Sequence, residues 1–129
     1  MKIRLAEKIM KAENIKFKAK RLDGKGWIEG TPICIKGKPY GIMIGEKESP
    51  DIDPFTICQF TGLKDGKGKE IWEGDIVNVR GVKAEVIWNQ EALAFMVLYE
   101  YETEPITYLA FINRHSNVLV LHSKFDKEK

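Results

Sequence analysis

Short hydrophobic segments bounded by turn residues fill most of the chain, some with strict alternation of hydrophobic and polar positions, and one stretch near the start repeats with a helical period instead. Between Ile15 and Leu22, the residues Ile15, Phe17 and Ala19 fall on one side and Lys16, Lys18 and Lys20 on the other. Side chains of a strand alternate between its two faces, so this pattern predicts an antiparallel strand buried on one face only. Asp23-Gly24-Lys25-Gly26 supplies the glycines of a tight hairpin turn. Trp27 to Ile35 returns as a second strand, and Pro32, which has no N–H for a ladder, restricts it to an edge or a bulge. Lys36-Gly37-Lys38-Pro39 turns again, into a short third strand over Tyr40 to Ile44.

Upstream, Ile3, Ala6 and Met10 share a face at i, i+3 and i+7, with Leu5 and Ile9 beside them and Arg4, Glu7, Lys8 and Lys11 opposite. This predicts a helix over Ile3 to Ala12. A helix of about ten residues is marginal alone, so it has to dock, in its own domain or on a second subunit. The polar stretch Gly45 to Pro54 contains Ser49-Pro50 and Asp53-Pro54 and reads as a loop and as the boundary between two sub-structures. The expected organisation is therefore a helix plus antiparallel β-hairpin sub-domain over residues 1–50, and a small SH3-like β-barrel over 51–129. The second part reads as strands at Phe55–Phe60, Asp75–Val79, Val82–Trp88, Leu93–Tyr99, Ile106–Phe111 and Val118–Leu121. Between them lie a charged glycine-rich turn over Leu63–Glu70 and an acidic segment over Glu100–Pro105. Glu100, Glu102 and Glu104 alternate there as the solvated edge of a strand-like stretch would. Lys124 to Lys129 reads as a frayed tail.

Composition narrows the class without naming an activity. A chain of 129 residues with 43% hydrophobic and 31% charged residues is long enough to build a core without staples. The two cysteines, Cys34 and Cys58, sit in apolar runs and read as buried, reduced thiols; neither has a Cys or His neighbour at metal-ligand spacing. Charges interrupt the first eight residues, so no secretory h-region is visible there, and no apolar run reaches the ~18 residues that cross a bilayer. The net charge of +2 conceals an asymmetry. Residues 1–50 hold twelve Lys/Arg against six Asp/Glu, and residues 51–129 hold nine against thirteen. That split suits an anionic partner for the N-terminal half, or head-to-tail self-association.

The stretch from Gln59 to Val77 carries the most specific signal: Gln59-Phe60-Thr61-Gly62-Leu63, Asp65, Gly68, Glu70-Ile71, then Glu73-Gly74-Asp75-Ile76-Val77. It resembles the central signature of the YopX family of phage and prophage proteins. Ile15 to Ala19 followed by Trp27-Ile28-Glu29-Gly30 is similar, more weakly, to that family's opening hairpin, whereas the helix before Ile15 is an addition to the common pattern. The resemblance implies a phage or prophage origin, a largely β fold with an SH3-like C-terminal barrel, and oligomerisation. It implies no activity. With no h-region or spanning run visible, the cytoplasm of the bacterial host is the expected compartment. Read from the residues alone, the signature is structural. The glycines allow tight turns, Asp65 and Asp75 are placed to bond turn amides, and Leu63, Ile71, Ile76 and Val77 are core. Gln59 and Thr61 are the polar members whose partners have to be found.

Chemistry is sparse. His115 and His122 are the only histidines, read as surface residues in a turn and at a strand end, and no nucleophile–base pair, phosphate loop or dinucleotide fingerprint is visible. Glu70, Glu73 and Asp75 are a local carboxylate cluster of the type a divalent metal or a hydrolase uses, although Lys67 and Lys69 beside them suit an ordinary charged turn. Lys16, Lys18 and Lys20, with Arg21 and Trp27, could track phosphates and stack a base. The same row also reads as a solvated, edge-protecting strand face. The expectation is a non-enzymatic accessory protein without metal or cofactor, acting by self-assembly or by binding a host or phage protein. The alternative is a nucleic-acid-binding module that uses the lysine face.

Overall fold

A computed structural model of the chain describes residues 14–45, 47–48 and 51–126. The helix expected over Ile3–Ala12 lies outside them, as do residues 127–129 of the tail. The chain is mostly β and folds as two compact units, Met1–Phe60 and Thr61–Lys129.

In the first unit, β1 (Phe17–Lys20), β2 (Trp27–Ile35), β3 (Lys38–Ile44), β4 (Lys47–Glu48) and the start of β5 (Cys58–Lys64) form an antiparallel sheet in the order β4-β3-β2-β1-β5. β1 meets β2 in the register Phe17↔Gly30 to Lys20↔Trp27, and β5 at Phe17↔Gln59 and Lys18↔Cys58. In β1 Ala19 is fully buried beside Ile42 and Ile52, as alternation expects, but the strand is shorter than the expected Ile15–Leu22, and Ile15, read as part of the buried face, lies before it and is exposed. Pro32 is accommodated because β1 pairs only with Trp27–Gly30, leaving β3 as the ladder partner at Pro32, and a bulge follows between Ile33 and Cys34. Gly30 is required by close approach: a Cβ there would run into the Met43 carbonyl oxygen.

Three expectations change in this unit. The strand expected from Phe55 begins only at Cys58. Pro54, with its fixed φ, and Asp53, which accepts the Phe55 N–H at 3.0 Å, start a 3-10 turn over Pro54–Thr56 and leave Phe55 88% exposed. The segment expected as a loop over Gly45–Pro54 is partly structured: Lys47–Glu48 pairs with β3, and Ile52, bridged to Arg21, is in the core. Cys58 is buried but Cys34, displaced at the bulge, is exposed; the two are not joined in a disulfide.

In the second unit, the remainder of β5 pairs with β6 (Glu70–Trp72). A five-stranded antiparallel sheet follows in the order β10-β9-β8-β7-β11, built from β7 (Asp75–Val79), β8 (Val82–Asn89), β9 (Ala94–Tyr99), β10 (Thr107–Tyr108) and β11 (Val118–Ser123). Among the described residues, no ladder joins its edges β10 and β11, so the sheet is open rather than a closed barrel. One face packs Val77, Val79, Ala84, Val86, Val97 and Val118 against Ile71, Leu109 and Ile112. Each such valine contributes about 1.5–3 kcal/mol by leaving water.

Here the strand expected over Ile106–Phe111 is only two residues long. Helix α1 (Leu109–His115) takes over because Leu109 and Ile112, three apart, both reach the core. His115 therefore ends a helix instead of lying in a turn. Glu100–Glu104 is a turn, not a strand-like edge: the Glu102 N–H donates to the Tyr99 carbonyl at 2.9 Å, and its carboxylate accepts the Tyr99 N–H at 3.2 Å. Lys124–Asp126 is also held, since the Lys124 N–H donates to Gly74 O at 2.8 Å and the Asp126 N–H to Ser123 O at 3.0 Å.

Candidate functional site

The signature is the obvious place to look for chemistry, and three of its polar side chains, Asp65, Asp75 and Thr61, bond the backbone. Asp65 is buried at the turn after β5. Its Oδ1 accepts the N–H groups of Lys67 and Lys69, each at 2.9 Å, and its Oδ2 accepts the Val120 N–H on β11 at 2.9 Å. Burial pushes this carboxyl up, but the N–H donors of Val120, Lys69 and Lys67 outweigh it and hold the acid below the ordinary carboxylate range. Asp75, buried at the start of β7, accepts the Trp72 N–H at 2.8 Å. Thr61 donates to the Ile71 carbonyl at 2.6 Å and accepts the Leu63 N–H at 3.2 Å. Gly74 has φ 84, a region closed to most side chains; its N–H reaches Val86 O at 2.7 Å and its carbonyl receives the Lys124 N–H.

The apolar and glycine positions of the signature fall as follows. Ile71 and Val77 are buried in the core, Leu63 packs against it, and Ile76 lies half-buried on the opposite face of β7. Gly62 and Gly68 sit at positive φ in and beside β5. Gln59 pairs with Phe17 at the start of β5. Glu70, Glu73 and Asp75 do not gather as ligands: among the described residues, no three His, Cys, Asp or Glu side chains form a group able to hold a metal ion.

The lysine face is assembled as its alternation requires. The Lys18 Nζ lies 4.4 Å from the centroid of the Trp27 ring, the Lys20 Nζ lies 5.3 Å from it, and the Lys16 Nζ lies 4.8 Å from the Phe60 ring. Trp27 thus holds two ammonium groups over its own ring. Arg21 is drawn the other way, into a bidentate pair with Asp23 in the β1–β2 turn, which holds Asp23 below its usual range. Lys18, Lys20 and Trp27 therefore stand together, Lys16 lies over Phe60, and Arg21 pairs with Asp23.

A feature that the sequence pattern conceals lies in the second unit. Ile106, Tyr108 and Phe111, within six residues of chain, are 75%, 49% and 60% exposed. They border β10, which pairs with β9 at Thr107↔Val97 and Tyr108↔Met96 and, among the described residues, has no strand on its other side. The Phe111 and His115 rings lie 4.5 Å apart on α1. A helical reading from Leu109, with Leu109 and Ile112 inward and Phe111 off their stripe, is the signal that could have found this ridge.

A mostly-β protein of two antiparallel units, with a structural signature, a lysine–tryptophan face and an apolar sheet edge, is the class that the geometry defines. The family model described as YopX protein matches residues 6–119, most of the chain, and the chain belongs to the YopX family. It matches no curated protein and no solved structure. No described helix is long and apolar enough to cross a membrane.

Proposed function

We propose that this YopX-family chain is a non-enzymatic accessory protein of a phage or prophage, working in the bacterial cytoplasm by self-assembly or by binding a host or phage protein. The observation that carries the reading is the run of exposed Ile106, Tyr108 and Phe111 beside the edge of β10 that no described strand pairs. Isolated apolar side chains on a surface are ordinary, but a cluster of them marks a contact surface. An open strand edge adds backbone N–H and C=O groups that a second chain can pair with. The meander β7-β8-β9, with β11 returned beside β7 after a short helix, supports an SH3-like reading of this unit. Light scattering across a concentration series, on the native chain and on Tyr108→Ser/Phe111→Ser, tests the proposal. The native chain is expected to form a defined oligomer that the double variant loses. A native chain that stays monomeric and binds no host or phage protein overturns it.

The second reading, nucleic-acid binding, rests on the stacking of Lys18 and Lys20 over Trp27. Binding to a mixed pool of DNA and RNA would weaken with added salt. It should disappear on changing Lys16, Lys18 and Lys20 to Glu; an unchanged affinity would remove that face from consideration.

A further inference from the structure

On the sheet of the second unit, the face opposite Val77, Val86 and Val97 holds a cavity of about 360 Å³. Ligand pockets span roughly 300–1,000 Å³, so it suits a small group. Register aligns its floor: His122 pairs with Ile76, Ile76 with Glu85, and Glu85 with Leu98, one row across β11, β7, β8 and β9. Glu100 and Glu102, on the turn after β9, complete one wall. The floor is therefore apolar at Ile76 and Leu98, and the rim is acidic. Three carboxylates, Glu85, Glu100 and Glu102, line the cavity with one ammonium group, Lys83, and Lys124 outside the lining pairs with Glu85. The Lys124 Nζ already lies 3.2 Å from Glu85 Oε2, so a cation of the chain itself is seated at this rim. The His122 Nδ1 donates to the Ser123 carbonyl at 2.9 Å, because a carbonyl can only accept.

A ligand for such a groove needs an apolar body and a cationic end. Arginine and lysine side chains have this form, and they bury their stems while keeping the head group among polar neighbours. We propose that the groove takes an arginine or lysine side chain of a partner protein, its stem on Ile76 and Leu98 and its head group against Glu100 and Glu102. This rests on the protein-binding reading above and specifies the partner. The groove and the ridge belong to the same sheet: Tyr108 pairs with Met96, two residues before Leu98 on β9. The partner segment therefore carries apolar residues beside its basic one.

The test is a titration of the full-length chain, followed by backbone amide NMR, with a short peptide holding one arginine among leucines and valines. The same peptide with glutamine in place of arginine, and free arginine, are the comparison arms. Saturable shifts at Leu98, Glu100 and His122 are expected, with the glutamine peptide weaker by about tenfold or more. The preference should narrow at high salt and vanish in Glu100→Gln/Glu102→Gln, a variant whose side-chain amide oxygen at position 102 can still accept the Tyr99 N–H. No binding, equal affinity for both peptides, or free arginine binding as tightly as the peptide overturns the proposal. Shifts confined to Ile106–Phe111 without a charge preference overturn the groove and leave the ridge reading intact. Groove binding in a chain whose association ignores Tyr108→Ser/Phe111→Ser counts against the ridge alone.

Discussion

Asp65 accepts three backbone N–H groups from a buried carboxylate and so ties the turn at Lys67–Lys69 to β11. Asp65→Asn keeps one acceptor oxygen and turns an NH₂ group towards at least one N–H, leaving donors unmatched. The expected loss is about 2–3 kcal/mol, read by chemical denaturation at neutral pH. The sign of the pH dependence follows from the depressed acid. The contribution of Asp65 is fully present above the unfolded carboxyl value of about 3.9 and is lost as pH falls through its lower folded value. Stability should therefore fall below about pH 4, and the difference between native and Asp65→Asn chains should shrink with it. The two thiols make a second residue-level contrast. Cys34 is exposed and Cys58 is buried, with its Sγ donating to Thr56 O at 3.2 Å. A thiol reagent should modify one equivalent rapidly at Cys34 and reach Cys58 only on unfolding; rapid modification of both would contradict the placement of Cys58.

At the scale of elements, the two-residue turns are where sequence and backbone disagree. Lys36-Gly37 and Arg80-Gly81 join β2 to β3 and β7 to β8 with φ of 51 and 79, and of 54 and 86. Both residues of a type I′ turn need positive φ, which asparagine tolerates better than lysine or arginine. Lys36→Asn and Arg80→Asn should each stabilise by about 0.5 kcal/mol, seen as a raised thermal midpoint; a lowered one would show that the long side chains do more than occupy the turn. Gly30→Ala should cost about 1–3 kcal/mol, because the Met43 carbonyl it meets belongs to the backbone of β3 and cannot step aside. β1, β2, β7, β8 and β9 were legible because turn signals bound them, and each lies within or close to the segment read as a strand, although the bulge at Ile33/Cys34 interrupts the period of two in β2. Phe55 and Leu109 were not legible in the same way. Phe55 continues an apolar run that Pro54 and the Asp53 cap divert into a 3-10 turn. In Ile106–Phe111 the alternation of a strand and the three-residue spacing of a helix overlap, and packing of Leu109 and Ile112 decides for the helix. The same ambiguity hid the ridge, since exposure of Tyr108 and Phe111 depends on which element they join. The lysine row was visible because it lies on one strand, whereas the groove draws its lining from four strands and a turn, and only register brings these together.

For the whole molecule, charge is distributed by unit. Residues 1–60 carry twelve Lys/Arg against eight Asp/Glu, and residues 61–129 carry nine against eleven, so the units have opposite sign at +4 and −2. Two routes to self-association then differ in their response to salt. Contact between oppositely charged units of two copies acts through exposed charges, which are screened beyond about 8 Å at physiological ionic strength. Contact through Ile106, Tyr108 and Phe111 buries apolar surface, which salt does not screen and kosmotropic salts strengthen. Sedimentation of the full chain at low and high sodium chloride, and in sodium sulfate, separates the two. The ridge predicts an oligomer that persists in chloride, tightens in sulfate and is lost in Tyr108→Ser/Phe111→Ser. An oligomer that dissociates in chloride and ignores those substitutions would assign assembly to the charge asymmetry. The acidic groove would then be the first surface to examine for the lysine-rich unit of a second copy.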